Sequence, residues 1–410
     1  MIARIRPRAL RGSVCAIPSK SEAHRSLICA ALACAPTALR MGPGSEDISA
    51  TIRCLTAFGA DIRREGREVI VHPAMHLPEA CEADCGESGS TLRFLLPVAG
   101  ALGIDTRFHM HGRLPQRPIA PLDRELTRGG CSLSRPEADV LRICGRLQPG
   151  TYELPGDVSS QYISGLLFAL SLLDGDSTLR ITGRVESAAY IDMTLKSMAA
   201  FGAMPEKSPD GYRIRGMGRY STPGSVTIGG DWSNAAFWLC ADALPDCAVR
   251  VEGLDFDSAQ GDKRVVKEIA ALRSAGQEQI TIDAADIPDL VPILTACACA
   301  RQQSLRVVHA QRLRIKESDR LESVSRTLNR LGASISETED GLIVDGSRPL
   351  RGGEADACGD HRIAMMAAIA SAACTEQVII HGAEAVNKSY PGFWADFESL
   401  GGCVTLEEEG

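Results

Sequence analysis

One pattern of apolar and polar positions recurs along the chain: an apolar helix end, a glycine, then two short strands around a polar turn. It is clearest at 328–344, where Gly332 follows the helix end and the turn lies at 339–341. Glycine suits this place because it adopts the left-handed conformation that ends a helix. The spacings of 71, 72, 74, 56 and 70 residues predict a repeated structural unit, and the glycines are Gly59, Gly130, Gly202, Gly276, Gly332 and Gly402.

Each repeat also holds an earlier helix, whose start carries Ser, Asp or Gly. These residues cap helix N-termini. The predicted starts lie at 19–21, 87–91, 157–160, 230–233, 286–289 and 359–361, and second helices begin near Asp47, Ile119, Tyr190, Asp262, Glu317 and Tyr390. Each repeat is therefore predicted as strand–helix–strand–helix–strand–strand.

The six repeats predict an α/β protein with two similar domains. Three repeats fill the chain to about residue 228, and three fill the rest. We expect a first three-repeat domain at 18–228 and a second at 229–410. Since no low-complexity linker separates them, a short hinge is expected, with crossings near Gly229 and Ile17–Pro18.

Composition and charge narrow the class of function. The 410 residues carry 44 Lys+Arg against 52 Asp+Glu, a net charge of −8, and only 4% are aromatic. A nucleic-acid-binding protein needs a basic face and stacking rings, so we expect no nucleic-acid partner. No apolar run reaches the ~18 residues that span a bilayer, so no membrane partner is expected.

The 15 cysteines are odd in number and scattered singly. Their spacing does not match paired zinc knuckles, and most lie in apolar stretches where a buried thiol acts as a small hydrophobe. This usage indicates a reducing compartment, and we expect a cytoplasmic protein. The Arg-rich start resembles a transit peptide, but candidate site residues begin at Lys20, so we interpret the start as a strand.

Cations are gathered at the predicted helix starts. A helix N-terminus binds anions, because its N–H groups are unpaired and it carries partial positive charge. Several such starts facing one cleft would bind small anions without a cofactor. A solvated surface cation is the alternative at any single position. The candidates are Lys20, Ser21 and Arg25; Arg93; Arg117; Arg312, Arg314, Lys316 and Arg320 around Glu317 and Asp319; Arg362; and Lys388.

Other polar residues at helix starts have two interpretations each. Ser159, Ser160 and Gln161 either cap a helix or contact phosphate and hydroxyl oxygens. Asp289 is either a cap or a general base. Glu317 is either part of a surface ion pair or a general acid, and among cations it is expected to be ionised.

Other kinds of site find little support. His72 and His76, and His109 and His111, have spacings that could suit a metal. Pro73 breaks the first pair, however, and neither pair has a nearby carboxylate pattern. The sequence has no GxxxxGK[ST] or GxGxxG phosphate loop and no GxSxG nucleophile motif. We therefore expect no metal and no cofactor.

Together these motifs resemble the enolpyruvyl transferases, and among them the EPSP synthase family. RIKESDR, GDHR and the opening PSKS carry most of the specificity. The resemblance implies two domains of three βαβαββ repeats, each an inside-out α/β barrel, joined by a two-strand hinge, with strand 1–17 packed into the second domain. The motifs are PSKSEAHR at 18–25, GESGSTLR at 86–93, RPI at 117–119, DVSSQY at 157–162, GGDWSNAAF at 229–237, IPD at 287–289, RIKESDR at 314–320, GDHR at 359–362 and NKSYP at 387–391.

The resemblance also implies the reaction and the residues that perform it. The carboxyvinyl group of phosphoenolpyruvate would move to the 5-hydroxyl of shikimate 3-phosphate, with release of phosphate. Asp289 would take the hydroxyl proton, and Glu317, with Lys20 or Lys388, would manage protonation of the methylene. Shikimate 3-phosphate would contact Lys20, Ser21, Arg25, Ser159, Ser160, Gln161, Ser187, Tyr190, Asp289 and Lys316. Phosphoenolpyruvate would contact Lys20, Gly89, Arg117, Gln161, Arg320, Arg362 and Lys388.

Two residues depart from the family pattern. Glu87 stands where many members carry Asn, and Arg312 stands where several carry a substrate-contacting Asn, so Arg312 is left out of the predicted site. Gly89 keeps the small residue beside the expected phosphoenolpyruvate site. Extra bulk there is expected to hinder the inhibitor glyphosate.

Two alternatives remain open at this stage. Transfer to UDP-N-acetylglucosamine is one, but relatives with that activity usually carry a reactive Cys in the loop here spanning His109 to Gln116, which has none. A non-catalytic binder of phosphorylated metabolites is the other. The retention of Lys20, Asp289 and Glu317 disfavours it. The enzyme is expected to act as a monomer on small-molecule substrates.

Overall fold

The computed structural model describes residues 1–42, 44–276 and 278–408. It divides into two compact units. The middle unit is Pro18–Gly229, and the terminal unit is Met1–Ile17 with Gly230–Gly410. The predicted domain limit at 410 lies outside the described residues.

The described residues up to 229 supply fourteen strands and six α-helices. The strands are β1 Ile2–Arg6, β2 Arg11–Cys15, β3 Thr37–Arg40, β4 Asp61–Glu65, β5 Glu68–His72, β6 Ala80–Asp84, β7 Asp105–His109, β8 Cys131–Glu137, β9 Val140–Gly145, β10 Thr151–Pro155, β11 Ser177–Thr182, β12 Glu206–Ser208, β13 Gly211–Ile214 and β14 Ser225–Thr227. The helices are α1 Lys20–Ala31, α2 Glu46–Ala57, α3 Gly89–Leu102, α4 Leu122–Arg128, α5 Ser160–Leu170 and α6 Ala188–Ala200, with a 3-10 turn at Leu114–Gln116.

The described residues after 229 supply eight further strands and six α-helices. The strands are β15 Ala248–Glu252, β16 Ile280–Asp283, β17 Leu305–Val308, β18 Ile335–Glu337, β19 Leu342–Val344, β20 Gly353–Asp356, β21 Val378–His381 and β22 Cys403–Glu407. The helices are α7 Trp232–Asp242, α8 Val265–Ser274, α9 Val291–Ala300, α10 Arg320–Arg330, α11 His361–Ala370 and α12 Phe393–Ser399. Short 3-10 helices occur at Gly261–Arg264, Pro288–Leu290, Gln311–Ile315, Ser371–Ala373 and Ala383–Lys388.

The three sheets of the middle unit share one strand order. In β6-β7-β9-β8 and β10-β11-β13-β12 the first pair is parallel and the others are antiparallel. The third sheet, β14-β3-β5-β4, repeats this order, with β14 from the end of the unit serving as the first strand. The predicted βαβαββ repeat is therefore the building block of this unit.

The terminal unit repeats the order in β16-β17-β19-β18 and β20-β21-β1-β22. In the second of these sheets β1 pairs antiparallel with both β21 and β22, so the start of the chain completes the last repeat. The remaining sheet, β15-β2, has only two strands among the described residues. The repeat that holds α7 and α8 therefore lacks its last two strands among the described residues. The chain runs from Ser274 at the end of α8 to Ile280 at the start of β16, and this short connection explains the 56-residue spacing.

The first helix of each repeat lies in the interior of its unit. In α3 and α5 almost every residue is buried, and the rings of Phe94 and Phe168 meet edge to face at 5.8 Å. Helices that are apolar all round are stable only when surrounded by protein. α7, α9 and α11 fill the same role in the terminal unit. The strands alternate buried and less buried residues, which places the sheets outside the helices.

One close approach between α3 and α5 fixes the positions of Arg93 and Gln161. Pro97 inside α3 cannot donate to the carbonyl of Arg93, and Gly165 of α5 packs against that turn. A Cβ on Gly165 would lie 2.4 Å from the Arg93 carbonyl oxygen, so this contact requires glycine. The approach brings the N-terminal turns of α3 and α5 side by side. No helix in the described ranges is long and apolar enough to cross a membrane.

Candidate active site

Three helices of the middle unit begin at predicted site residues. α1 begins at Lys20, α3 at Gly89 and α5 at Ser160. Each is preceded by a serine whose hydroxyl accepts a hydrogen bond from a main-chain N–H of the first turn, which is why the helices begin there. The pairs, each at 3.3 Å, are Ser19 with Glu22, Ser88 with Thr91 and Ser159 with Gln161.

The ammonium group of Lys20 is held at the start of α1 by Asp47. Lys20 Nζ lies 2.9 Å from Asp47 Oδ2, and the two side chains are 19% and 9% exposed. Asp47 stands on the first turn of α2, so the second helix of the repeat orients a cation on the first helix. Sequence reasoning used Asp47 only to mark a helix start and missed this pairing.

Arg25 is deeply buried and ties α1 to α6. Its guanidinium donates to Thr194 Oγ1 at 2.8 Å, to the Ser21 carbonyl at 2.7 Å and to the Tyr190 carbonyl at 2.9 Å. Burial lowers the pKa of Arg25 to about 10, which leaves it protonated at neutral pH. Arg25 therefore orients Ser21 and Tyr190. Its contact with shikimate 3-phosphate stays a prediction.

Gly89 faces two guanidinium groups. A Cβ at this position would lie 2.9 Å from Arg117 Nη1 and 3.0 Å from Arg93 Nη1. Both arginines are buried, at 9% and 5% exposure. The start of α3 and two arginines thus converge on one point, which suits a phosphate group. Arg93 was noted from sequence but was not placed in the predicted site.

Replacing Gly89 by Ala is expected to raise the KM for phosphoenolpyruvate. The new methyl group would force the Arg117 guanidinium, and with it the anion, out of position, and a displacement near 1 Å costs about 10- to 100-fold in efficiency. Steady-state kinetics at saturating shikimate 3-phosphate measure the change. Gly150→Ala is the matched control, because no atom lies within 4 Å of its added Cβ. Equal KM values for the two variants would contradict the prediction.

Gln161 links the starts of α3 and α5. Its Oε1 accepts from Arg93 Nη1 at 2.8 Å, and its Nε2 donates to Ser90 Oγ at 2.9 Å. Arg93 also donates to the Pro118 carbonyl at 3.1 Å, which holds the segment that carries Arg117. Gln161 thus contacts Arg93 beside Gly89, and its contacts with the substrates stay predictions.

Ser187 and Tyr190 lie at the start of α6. Ser187 is buried and adopts a left-handed conformation with φ 56°, just before the helix. A non-glycine residue rarely adopts this conformation, and such strain clusters at functional sites. Tyr190 follows on the first turn, and its ring lies 6.0 Å from the Arg25 guanidinium. Tyr190 therefore lies beside Arg25, and Ser187 immediately precedes the helix that carries Tyr190.

In the terminal unit, Asp289 lies between two arginines. Its Oδ1 accepts from Arg320 Nη1 at 2.8 Å, and its Oδ2 accepts from Arg362 Nη2 at 3.0 Å. Arg362 also donates to the Asp289 carbonyl at 3.1 Å. Arg320 is the first residue of α10, and Arg362 is the second residue of α11. The starts of two helices therefore meet at this carboxylate.

Arg320 is the centre of the cluster and pairs with three carboxylates. Besides Asp289, its Nε donates to Asp360 Oδ2 at 2.7 Å and its Nη2 donates to Glu317 Oε2 at 2.6 Å. Its side chain is only 2% exposed. Burial opposes the charge of Arg320, but Asp360, Glu317 and Asp289 outweigh burial and raise its pKa above the usual range.

Asp360 is a site residue that sequence reasoning did not single out. Its carboxylate is fully buried and caps α11 by accepting a hydrogen bond from the Arg362 N–H at 3.0 Å. It also accepts a hydrogen bond from Ser318 Oγ at 3.2 Å. It therefore fixes both Arg320 and the turn that presents Arg362. The GDHR motif contained the signal, because an Asp before a helix start is a cap.

The pKa of Asp289 follows from this surrounding charge. Burial favours its neutral form, but the positive charges of Arg362, Lys316 and Arg320 outweigh burial and hold its pKa well below the usual range. The carboxylate is therefore ionised at neutral pH. Because these cations stabilise its ionised form, the Asp289 carboxylate is a weak base until the arginines bind other anions.

Lys316 and Glu317 precede α10 and do not belong to it. The helix was predicted to begin near Glu317, but Asp319 is its N-cap and the first helical residue is Arg320. The correction has a physical reason: Asp319 Oδ1 accepts from the Glu322 N–H at 3.2 Å and sets the start there. Lys316 and Glu317 thus lie in the turn that approaches Asp289.

Lys388 ends the 3-10 helix Ala383–Lys388 and is buried, with 6% exposure. The residues that follow hold it in place. Ser389 Oγ donates to Asn234 Oδ1 at 3.4 Å, and Tyr390 donates from its hydroxyl to Asp396 at 2.6 Å. The NKSYP motif therefore combines one cation with its own anchors.

Asp262 is a third carboxylate that sequence reasoning missed, after Asp47 and Asp360. It is 2% exposed and receives the hydroxyl of Ser233. Burial, followed by the charge of Asp289, raises its pKa to about 6, although Arg362 and Ser233 oppose the shift. Its sequence signal was only a position near a predicted helix start.

Replacing Asp262 by Asn is expected to flatten the dependence of stability on pH between about 4 and 6. Because the folded-state pKa is raised, the folded protein holds a proton that the unfolded chain releases, so the contribution to stability falls as pH rises through this window. The raised pKa of Asp262 corresponds to a loss of about 3 kcal/mol of stability at pH 7 relative to low pH. Calorimetric Tm values from pH 4 to 7 measure it, with exposed Asp257→Asn as control. Parallel pH curves for wild type and Asp262→Asn would contradict the prediction.

The residues that depart from the family pattern have ordinary surroundings. Glu87 is exposed and lies beside Gly112, in the loop after β7. Arg312 donates to the Ala285 carbonyl at 2.8 Å and so braces the segment before Asp289. The histidines once considered for a metal pair with carboxylates: His109 Nε2 lies 2.5 Å from Glu82 and His111 Nε2 lies 3.0 Å from Asp84.

The predicted residues thus fall into two groups by compact unit, and the described contacts join some members of each group. Each group is built on helix starts, and each holds buried cations. The middle unit carries Lys20, Ser21, Arg25, Gly89, Arg117, Ser159, Ser160, Gln161, Ser187 and Tyr190. The terminal unit carries Asp289, Lys316, Glu317, Arg320, Arg362 and Lys388.

Comparison with known proteins places these groups in context. The sequence profile of the family described as EPSP synthase (3-phosphoshikimate 1-carboxyvinyltransferase) matches residues 5–397. The 3-phosphoshikimate 1-carboxyvinyltransferase of Clostridium acetobutylicum is 39% identical and covers 98% of this chain and 97% of its own. That of Clostridium kluyveri is 40% identical, over 97% of each chain.

Solved structures are similar over the whole chain. An EPSP synthase from Acinetobacter baumannii has a TM-score of 0.79 at 24% identity and covers 99% of this chain and 100% of its own. The enolpyruvyl transferase NikO from Streptomyces tendae has a TM-score of 0.76 at 18% identity, over 100% of this chain and 99% of its own. At this identity they bear on the fold alone. The predicted α/β fold of repeated units is confirmed.

Proposed function

Since the chain belongs to the EPSP synthase family, we propose that the residue groups of both compact units perform the reaction of that family. The enzyme transfers the carboxyvinyl group of phosphoenolpyruvate to the 5-hydroxyl of shikimate 3-phosphate and releases phosphate. This step belongs to the shikimate pathway, which leads to chorismate and the aromatic amino acids. The observation that best supports the assignment of roles is the carboxylate of Asp289 held between Arg320 and Arg362.

Asp289 is the proposed base for the 5-hydroxyl. Its two carboxylate oxygens accept from the two arginines, which suppresses its basicity. Phosphoenolpyruvate brings a carboxylate and a phosphate, which compete for those guanidinium groups. As Arg320 and Arg362 turn to the substrate, the pKa of Asp289 rises toward the range in which it accepts a proton.

The remaining cations are proposed to hold phosphoenolpyruvate. Arg117 stands beside Gly89 at the start of α3, and Lys388 is buried at the end of its 3-10 helix. In the tetrahedral intermediate the substrate keeps its carboxylate and phosphate, so these cations stabilise it as well as the ground state. At 4 Å and an effective dielectric constant of 20, each charge pair is worth roughly 4 kcal/mol before desolvation.

The proton transfers complete the proposed mechanism. The 5-oxygen, after giving its proton to Asp289, bonds to carbon 2 of phosphoenolpyruvate while carbon 3 takes a proton and becomes a methyl group. Glu317, with Lys20 or Lys388, supplies this proton. The same group then takes back one methyl proton while the bond from carbon 2 to the phosphate oxygen breaks; the enol ether forms, and the proton held by Asp289 leaves with phosphate. Glu317 accepts from Arg320 Nη2 at 2.6 Å, so its basicity is coupled to the same substrate-induced change.

A phosphate-release assay on the purified protein tests the function. Release is expected only when shikimate 3-phosphate and phosphoenolpyruvate are both present. Release with UDP-N-acetylglucosamine as the only acceptor would support the alternative transferase. Tight binding by calorimetry without turnover would instead indicate a non-catalytic relative.

The proposal includes the domain limits. We assign domains at 18–228 and 229–410 with strand 1–17, supported by the division into units at Pro18 and Gly229.

The proposal also includes the cellular setting and the oligomeric state. All 15 cysteines are free, which supports a reducing, cytoplasmic setting. A monomer is proposed because each unit buries a core of its own; light scattering measures the mass.

A further inference from the structure

A buried hydrogen-bond chain crosses from α1 to the start of α3. His24 Nδ1 lies 2.7 Å from Thr51 Oγ1, Thr51 Oγ1 lies 2.6 Å from Thr91 Oγ1, and Thr91 Oγ1 lies 2.7 Å from Ser88 Oγ. None of these four residues is more than 1% exposed. They come from α1, α2 and α3, and the chain ends at the N-cap of α3.

Proton count makes all links of the chain run in one common direction. Each hydroxyl has one proton, so if Thr91 donates to Ser88, then Thr51 donates to Thr91 and His24 Nδ1–H donates to Thr51; if Ser88 donates to Thr91, the order reverses and His24 Nδ1 accepts. His24 is neutral in both orders, and burial lowers the pKa of His24 to about 3. Every link is satisfied in either order, so removal of one hydroxyl leaves both of its neighbours without that partner.

The end of the chain touches the proposed phosphoenolpyruvate site. Ser88 immediately precedes Gly89, which faces the guanidinium groups of Arg117 and Arg93. Thr91 Oγ1 also lies 3.4 Å from the carbonyl of Asp47, the residue that holds Lys20. Removal of the Thr51 or the Thr91 hydroxyl therefore alters the Ser88–Gly89 turn, although neither hydroxyl contacts the substrate.

We propose that Thr51 and Thr91 are positioning residues that hold the Ser88–Gly89 turn in place for phosphoenolpyruvate through this chain. The proposal rests on the proposed function of the turn and goes beyond it, because these hydroxyls touch neither the proposed site cations nor the substrates. An isosteric Thr51→Val removes the central hydroxyl and leaves His24 and Thr91 without that partner. Ser88 then loses the constraint on its side chain, and the start of α3 gains freedom.

Steady-state kinetics of four variants test the proposal. Thr51→Val and Thr91→Val are expected to raise the KM for phosphoenolpyruvate about five- to tenfold, the effect of one lost buried hydrogen bond. The affinity for shikimate 3-phosphate, measured by calorimetry, is expected to stay within about twofold of wild type, since Arg25 and Tyr190 are not in the chain. Thr51→Ser keeps the hydroxyl and is expected to behave as wild type. Thr295→Val, which loses only a hydrogen bond to its own helix at Val291, is the control.

The outcomes separate positioning from packing. If the methyl group of Thr51 mattered and the hydroxyl did not, Thr51→Ser would be impaired and Thr51→Val would be normal, which overturns the proposal. An equal loss of affinity for both substrates in both Val variants also overturns it. If Thr51→Val does not fold, Thr91→Val and Thr51→Ser still distinguish the two roles. A wild-type enzyme that releases no phosphate with both substrates would instead reject the proposed function.

Discussion

Replacing Arg320 by Gln is expected to lower the free energy of unfolding by about 3–5 kcal/mol and to abolish measurable turnover. Arg320 is buried against Asp289, Glu317 and Asp360, and its loss leaves three carboxylates without their shared cation. The carboxylate of Asp360 is fully buried, so its uncompensated charge carries most of the cost. Chemical denaturation followed by circular dichroism measures the stability.

A conservative replacement and a control sharpen this expectation. Arg320→Lys keeps one charge but cannot donate to three carboxylates at once, so it is expected to recover only part of the stability. Arg273 lies in the same unit and pairs with Asp242 at 2.9 Å, but it is 46% exposed. Arg273→Gln is expected to cost less than about 1 kcal/mol. Equal costs for Arg320→Gln and Arg273→Gln would show that the buried cluster has no special weight.

Much of the fold followed from the sequence because a repeated pattern is informative at each recurrence. The glycine at 332 ends α10 one residue after its last turn and adopts φ 106°, and Gly59 and Gly130 have the same role and similar angles. The incomplete repeat could not be predicted from this pattern, since Gly276 fits it well and only the 56-residue spacing differed. The resemblance, and not the periodicity, implied that strand 1–17 packs into the second domain, and only the structure shows that β1 lies between β21 and β22.

The candidate site was predicted less completely, and the missed residues share a physical feature. Cations and hydroxyls at helix starts are visible in sequence because capping and charge are local properties. Asp47, Asp262 and Asp360 act on residues that are distant in the chain, and only the fold brings them together. Local sequence patterns indicate the groups proposed to bind substrate. The three-dimensional contacts show which other groups orient those side chains.

Arg320 shows the limit of interpreting a single cation. From sequence it was a ligand of phosphoenolpyruvate, and in the structure each of its three nitrogens donates to a carboxylate of the protein. The two statements agree if the substrate replaces Asp289 as partner of Arg320. The three carboxylates keep the arginine oriented, and the arginine in turn keeps Asp289 weakly basic.

This exchange of partners leads to the prediction with the largest effect on rate. Asp289→Asn is expected to lower kcat by about 10²–10⁴-fold, the usual contribution of a general base. The KM values are expected to change much less, because the amide oxygen still accepts from one arginine. Phosphate release under saturating substrates measures kcat, and circular dichroism establishes that the variant is folded.

The pH dependence of the wild-type enzyme tests the same exchange independently. Asp289 must be ionised to act as a base, so activity falls when it is protonated at low pH. In the free enzyme Arg362, Lys316 and Arg320 overcome burial and hold its pKa well below the usual range, so kcat/KM should show no acid limb from Asp289 above about pH 4. In the complex the substrate anions engage the arginines, and the acid limb of kcat should move to higher pH.

Asp345→Asn provides the matched control, because Asp345 is an exposed residue of the same unit whose carboxylate accepts from Ser347. Its kcat and pH profile are expected to equal those of wild type. The acid limb of kcat should vanish in Asp289→Asn, while the residual rate becomes independent of pH in that range. An unchanged limb would assign the proton transfer to another group, such as Glu317, which also accepts from Arg320. The difference between the two wild-type limbs thus measures how far the substrate frees the base.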